Sequence, residues 1–148
     1  MKKRILSSML VLAMLFMLAV PASAAGTGQT VDFAFNGIVS ISGEKQTAGR
    51  LNVGAFDEQG NLVASGTHLK SGVIDMKTTF TEADLGIHTF TMKITGANRY
   101  EGEVGYFVMD SKVFTLKVEV SYNASGELTA KTIWYNAPIV FTNYYYKK

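Results

Sequence analysis

Asn143 is the residue in this chain whose surroundings most plainly demand a chemical explanation. It shares alternating parity with Ile139 and Phe141 near the end of the sequence, so an extended backbone would aim its amide into an apolar interior. A buried amide without partners costs about 1–3 kcal/mol, so a hydrogen-bond network or a reaction is expected there. Other chemistry has thin material. Nucleophilic catalysis needs a serine, threonine or cysteine with a base in reach, and the chain has no cysteine, two histidines and no G-x-S-x-G elbow. His88 has the parity of an apolar face and reads as a core or edge histidine; His68 follows Ser65-Gly66-Thr67 and reads as a solvated loop residue. Glu101 and Glu103, the nearest approach to a glycosidase-type carboxylate pair, lie in a glycine-rich bend and read as solvated. No catalytic residue, and hence no enzyme, is expected.

Metal binding has no better footing. Two imidazoles without cysteine give no zinc-like spacing, and Asp57-Glu58-Gln59-Gly60-Asn61 lacks the spaced ligands of a calcium loop and reads as a hairpin turn. No metal and no cofactor is expected. Trp134, Tyr135 and the run Tyr144-Tyr145-Tyr146 could stack on a sugar. Consecutive strand residues alternate faces, so Trp134, Tyr144 and Tyr146 are the candidate ligand contacts of such a patch.

The elements that must position these residues are strands. Period-two alternation dominates after residue 30, and no window holds a helical stripe. Phe114, Leu116, Val118, Val120 and Tyr122 alternate with Thr115, Lys117, Glu119 and Ser121, the pattern of a strand with one buried face. Asn123-Ala124-Ser125-Gly126 supplies a turn, and Leu128 to Tyr135 returns as the hairpin partner. A first strand over Thr30 to Ile41, strands at Leu51–Ala55 and Leu62–Ala64, a fourth over Gly72 to Phe80, a fifth through His88, Phe90, Met92 and Ile94, a sixth over Val104 to Met109 and a last through Ile139, Phe141 and Asn143 complete the set. Thr81 to Gly86 is the one helical turn, capped by Thr81 and stopped by Gly86. Eight or nine short strands with regular turns predict an all-β fold, a two-sheet antiparallel sandwich as a single domain over residues 28–146.

Residues 1–24 stand apart. Lys2, Lys3 and Arg4 form a basic head, Met9 to Val20 an apolar run, and Ala22-Ser23-Ala24 a small-residue cleavage site, the pattern of a signal peptide removed on export. The three basic residues of the head exceed the whole formal charge of +2, so the remainder is close to neutral and slightly acidic. Such a surface does not suit nucleic-acid binding, and no later apolar run reaches the length of a spanning helix, so no stable membrane insertion is expected after cleavage. An exported domain without cysteine also lacks the disulfides that often hold small secreted folds.

Several stretches resemble, in order, the pilin isopeptide-linkage domain of Gram-positive, streptococcal-type surface proteins. They are Gly49-Arg50-Leu51-Asn52-Val53, the turn from Asp57 to Asn61, Asp84-Leu85-Gly86-Ile87-His88-Thr89-Phe90-Thr91-Met92, Val113 to Val120, Gly126-Glu127-Leu128, and Ile139-Val140-Phe141-Thr142-Asn143-Tyr144-Tyr145. The resemblance implies an Ig-like sandwich in which a first-strand lysine and a last-strand asparagine join in an amide bond, assisted by a buried acid. Asn143 stands at the acceptor position. Phe33 or Phe35 stands where the lysine would be, and Ile94 where the acid would be, so Asn143 is expected to be unlinked. Lys45 follows the first strand in a glycine-rich turn, and Lys117 and Lys131 have outward parity.

The expected function is that of an exported, non-enzymatic structural or interaction module resembling a pilin or adhesin domain. Its partners would be surface or pilus proteins, or a host or environmental ligand. The alternative is a secreted carbohydrate- or ligand-binding module using the aromatic patch. Localisation is expected to be extracellular, with surface association; no sortase-type sorting signal follows residue 25.

Overall fold

A computed structural model describes residues 26–43, 50–98 and 105–147. The signal-like segment, Lys45, Glu101, Glu103 and Val104 lie outside them. Among the described residues the fold is all-β, with eleven strands: β1 Thr30–Phe35, β2 Ile38–Gly43, β3 Arg50–Phe56, β4 Leu62–His68, β5 Gly72–Val73, β6 Met76–Thr81, β7 Gly86–Asn98, β8 Gly105–Val108, β9 Phe114–Tyr122, β10 Leu128–Tyr135 and β11 Val140–Lys147. A five-stranded antiparallel sheet runs β10-β9-β7-β3-β4. Opposite it stand a two-stranded ribbon, β1-β6, and a four-stranded sheet, β5-β2-β11-β8.

Two strands expected to be continuous are each broken once. The first strand stops at Asn36-Gly37 and the fourth at Ile74-Asp75. Both breaks fall at the same level of one antiparallel pairing. Phe35 pairs with Met76 and Ile38 with Val73, and the Ile74 N–H donates to the Gly37 carbonyl at 2.9 Å between them. The register therefore runs through without a slip, and the ribbon and the four-stranded sheet form one bent layer. Gly37 sits at the bend because a Cβ there would lie 2.7 Å from an Ile139 methyl and 2.8 Å from an Ile74 methyl.

The bend opens β2 to a new neighbour. β11 pairs with β2 in parallel, Phe141 beside Val39 and Asn143 beside Ile41, so the expected all-antiparallel sheets contain one parallel pair. β8 then closes the outer edge of β11 in antiparallel register.

The turns form where side chains replace missing backbone bonds. Asp57 Oδ1 accepts from the Gln59 and Asn61 N–H groups at 3.0 and 2.8 Å, and Gly60 takes the φ of 82° that closes the β3–β4 hairpin. The Asp57 carboxyl is thus committed to holding its own turn; the Asn61 side-chain amide and these N–H groups hold its pKa below the usual value. Asn123 repeats the device between β9 and β10, accepting from Ser125 and Glu127. Thr81 and Asp84 cap a single 3-10 turn, Glu82–Asp84, reciprocally.

The inner faces of both layers share one core. Phe35, Val39, Leu51, Val53, Met92, Val118 and Phe141 are completely shielded from solvent, each such side chain contributing roughly 1.5–3 kcal/mol of transfer free energy. Edge-on ring contacts join the layers: Phe35 to Phe90 at 5.4 Å and Phe114 to Phe141 at 4.9 Å.

Candidate functional site

Asn143 points inward from β11 and is 1% exposed, the one buried polar side chain among the described residues. Its Nδ2 donates to the Ser40 carbonyl of β2 at 3.3 Å, and its Oδ1 accepts from the Asp110 N–H at 2.9 Å. Asp110 reciprocates: its Oδ2 accepts from the Thr142 N–H at 2.8 Å and its Oδ1 from the Lys112 N–H at 2.9 Å. The Lys112 ammonium lies 3.8 Å from Asp110 Oδ2 with its side chain 62% exposed.

This node ties β2, β11 and the segment after β8 together. Both carboxyl oxygens of Asp110 accept from backbone N–H groups. Lys112 lacks the burial that turns an ammonium into an amine nucleophile. The residue beside Asn143 on the first-strand segment is Ile41. Phe33 and Phe35 lie on β1, paired with Thr78 and Met76 of the ribbon, so the position facing Asn143 is not the one expected from the sequence. The kink at Asn36-Gly37, invisible to an alternation count, moves it to the other side of the bend. Ile94 lies on β7 beside Val53 and packs against the core.

The candidate ligand aromatics do not form one patch. Trp134 stands on the outer face of the five-stranded sheet, its ring 5.9 Å from the Lys117 ammonium. Tyr144 and Tyr146 stand on the outer face of the other layer, while Tyr145 between them turns inward and is buried. Tyr144 and Tyr146 lie 4.6 Å apart, and Tyr146 stacks on Tyr106 of β8 at 5.3 Å. Tyr146 is stacked on Tyr106 and tilted against Tyr144, and all three rings are exposed on a different layer from Trp134.

The histidines are accounted for by packing. His88 is half-buried between Phe80 and Phe90, at 5.5 and 6.3 Å, with Nε2 2.6 Å from the Asp84 carbonyl. His68 ends β4 rather than sitting in a loop, paired with Leu51; its Nε2 is sealed from solvent with no hydrogen-bond partner, and burial pushes its pKa down. No group of three His, Cys, Asp or Glu that could hold a metal occurs among the described residues, and no helix there is long and apolar enough to cross a membrane. An apolar cleft of about 500 Å³ opens between Tyr135 of β10 and Ile38, Val73 and Ile139 of the facing layer.

The participant that sequence reasoning missed is Asp110. Its signal is the Asp110-Ser111-Lys112 turn directly after an alternating strand, but the 33 residues separating it from Asn143 hide the contact. Comparison of the chain with protein-family models and with curated proteins finds no match.

Proposed function

We propose that the protein is an exported module with an Ig-like, pilin-type β-sandwich, serving at the cell surface as a structural or interaction domain without catalysis. The observation that carries this reading is the parallel pairing of β2 with β11 around the buried amide of Asn143. An inward asparagine on the last strand, next to a segment of the first, is in keeping with the resemblance to pilin isopeptide-linkage domains; the parallel sense of the pairing is this chain's own. It also suits a module held at both ends. A pull applied at the start of the β1–β2 segment and at the end of β11 draws two parallel neighbours in opposite directions. Six registered pairs, Val140 with Ile38 to Tyr145 with Gly43, then carry the load together rather than one after another.

The signal-like head supports export, and the absence of cysteine is met by hydrogen bonds that join distant segments, as in the Asn143–Asp110 node. Partners are other surface or pilus proteins, or a ligand of the host or environment. A carbohydrate platform is the weaker reading because Trp134 and the two outward tyrosines, Tyr144 and Tyr146, stand on different sheets. The test is fractionation of cells expressing the full chain, with N-terminal sequencing of the product. Recovery from the medium or the cell surface with Ala25 first supports the reading; an intact Met1 on membrane-held or internal protein overturns it.

A further inference from the structure

Three tyrosines stand outward together on the four-stranded sheet: Tyr106 of β8, 40% exposed, and Tyr144 and Tyr146 of β11, each 42% exposed. Tyr146 and Tyr106 are direct cross-strand partners, and their rings stack at 5.3 Å between centroids with 19° between the planes. Tyr144, two residues back on the same face, has its ring 4.6 Å from that of Tyr146. The other tyrosines among the described residues are placed differently. Tyr145 turns inward against Phe107 and is buried. Tyr122 gives its hydroxyl to Glu82, and Tyr135 lines the apolar cleft on the facing sheet.

We propose that Tyr106 and Tyr146 form a site of oxidative cross-linking, joined ring to ring as dityrosine by hydrogen peroxide and a haem peroxidase. Each phenol gives one electron and its hydroxyl proton to the peroxide-oxidised haem. The two phenoxyl radicals form one bond between the carbons ortho to their oxygens. The hydrogen on each of those carbons then moves to oxygen and restores the phenol. One peroxide is reduced to two waters, and the protein loses two hydrogens. The geometry supplies what such coupling ordinarily lacks, a second phenol already in contact with the first. Cβ atoms of direct cross-strand partners lie about 4.5–5.5 Å apart, and the stacked rings need only turn edge to edge. Exposed side chains make such turns on the picosecond-to-nanosecond scale. Tyr144 enlarges the target, because a radical formed on it touches Tyr146 and passes on by taking an electron from that ring. The bond would close a loop of about forty residues across β9 and β10 and fix the edge strand β8 to the last strand. Disulfides do this for many small exported domains, and this chain has no cysteine to make one. The chemistry holds whether or not the chain is exported.

The full chain, held at submicromolar concentration and treated with a haem peroxidase and hydrogen peroxide, should gain dityrosine fluorescence in the band that runs as monomer on a denaturing gel. Trypsin should then release residues 100–112 and 132–147 as one joined species, two hydrogens lighter than the pair. Tyr106→Phe and Tyr146→Phe, both at exposed positions, should each remove most of that fluorescence and leave the far-UV circular dichroism unchanged. Tyr135→Phe should leave the fluorescence intact. The linked monomer should also unfold at a higher urea concentration than the untreated protein. Fluorescence confined to dimers and larger species overturns the proposal, and so does a complete lack of dityrosine. Undiminished monomer fluorescence in Tyr106→Phe, the outcome expected if Tyr144 couples to Tyr146 instead, overturns it as well, as does an unmoved urea midpoint.

Discussion

Asp110 and Asn143 hold each other by exchange: the Asp110 backbone N–H donates to the Asn143 side chain, and the Asp110 side chain accepts from the backbone N–H of Thr142, next to Asn143. The β8–β11 ladder runs from Lys147 beside Gly105 to Tyr144 beside Val108. Two steps further the same register would set Thr142 beside Asp110, where β8 has already ended. Side chains make the bonds that the ladder no longer supplies, and so the last strand stays fixed beyond the reach of its neighbour.

Replacing Asn143 by alanine removes a buried acceptor and donor together and leaves the Asp110 N–H and the Ser40 carbonyl unpaired. Urea unfolding of Asn143→Ala should show a loss of about 1–3 kcal/mol with an unchanged slope. A loss below about 0.5 kcal/mol would mean that water takes the amide's place.

The same geometry bears on covalent chemistry. Ile41 lies beside Asn143, both Asp110 carboxyl oxygens accept from backbone N–H groups, and the Lys112 side chain is exposed. The intact mass of the purified chain should equal its sequence mass. A deficit of one ammonia that disappears in Asn143→Ala would falsify this and identify a lysine–asparagine bond.

The all-β character was legible in the sequence because alternation is a local signal: Phe114, Leu116, Val118 and Val120 are buried where parity places them. Thr81 and Gly86 bound the one helical turn for equally local reasons. Alternation also placed Asn143 inside. What it could not give was the bend at Asn36-Gly37, because both halves of the strand keep the same parity on either side of it. The bend decides which residue neighbours Asn143, and it brings β2 and β11 together in parallel across about a hundred residues. Asp110 was hidden for a related reason: its role depends on where β8 stops, which is set by tertiary pairing. The outward tyrosines followed from parity, but the stacking of Tyr146 on Tyr106 depends on β8 lying beside β11.

His68 supplies a pH test. Burial holds its pKa below the ordinary 6.5, so the unfolded chain takes up a proton more readily than the folded one. The stability associated with the neutral ring is full above pH 6.5 and is lost as pH falls through the folded value. The NMR titration of His68 should have its midpoint below 6.5, and His68→Phe should flatten the fall in stability below that pH. An unshifted midpoint would contradict the sealed Nε2.

Glu82 gives the most specific pH window. Its carboxylate accepts from the Thr27 hydroxyl and N–H and the Gly28 N–H, which fasten the segment before β1, and from the Tyr122 hydroxyl at 2.9 Å at the end of β9. The Thr27 hydroxyl does most to hold the Glu82 pKa below 4.5, and the bond to Glu82 does most to raise that of Tyr122 above 10.0. The signs are opposite. Glu82's contribution is complete above pH 4.5 and lost as pH falls through its lowered folded value. Tyr122's contribution is complete below pH 10 and lost as pH rises through its raised one. Between those limits the N-terminal segment is tied down, and outside them it loosens. Hydrogen exchange of the Thr27 and Gly28 amides, corrected for intrinsic rates, should therefore be slowest in the middle of the window and quicken at both ends. Glu82→Gln should abolish the acid limb and bring the Tyr122 titration back toward 10. Because these groups sit at the surface, added salt should weaken the tie without unfolding the domain. Exchange of Thr27 and Gly28 that is indifferent to Glu82→Gln would show that something other than this carboxylate holds the segment.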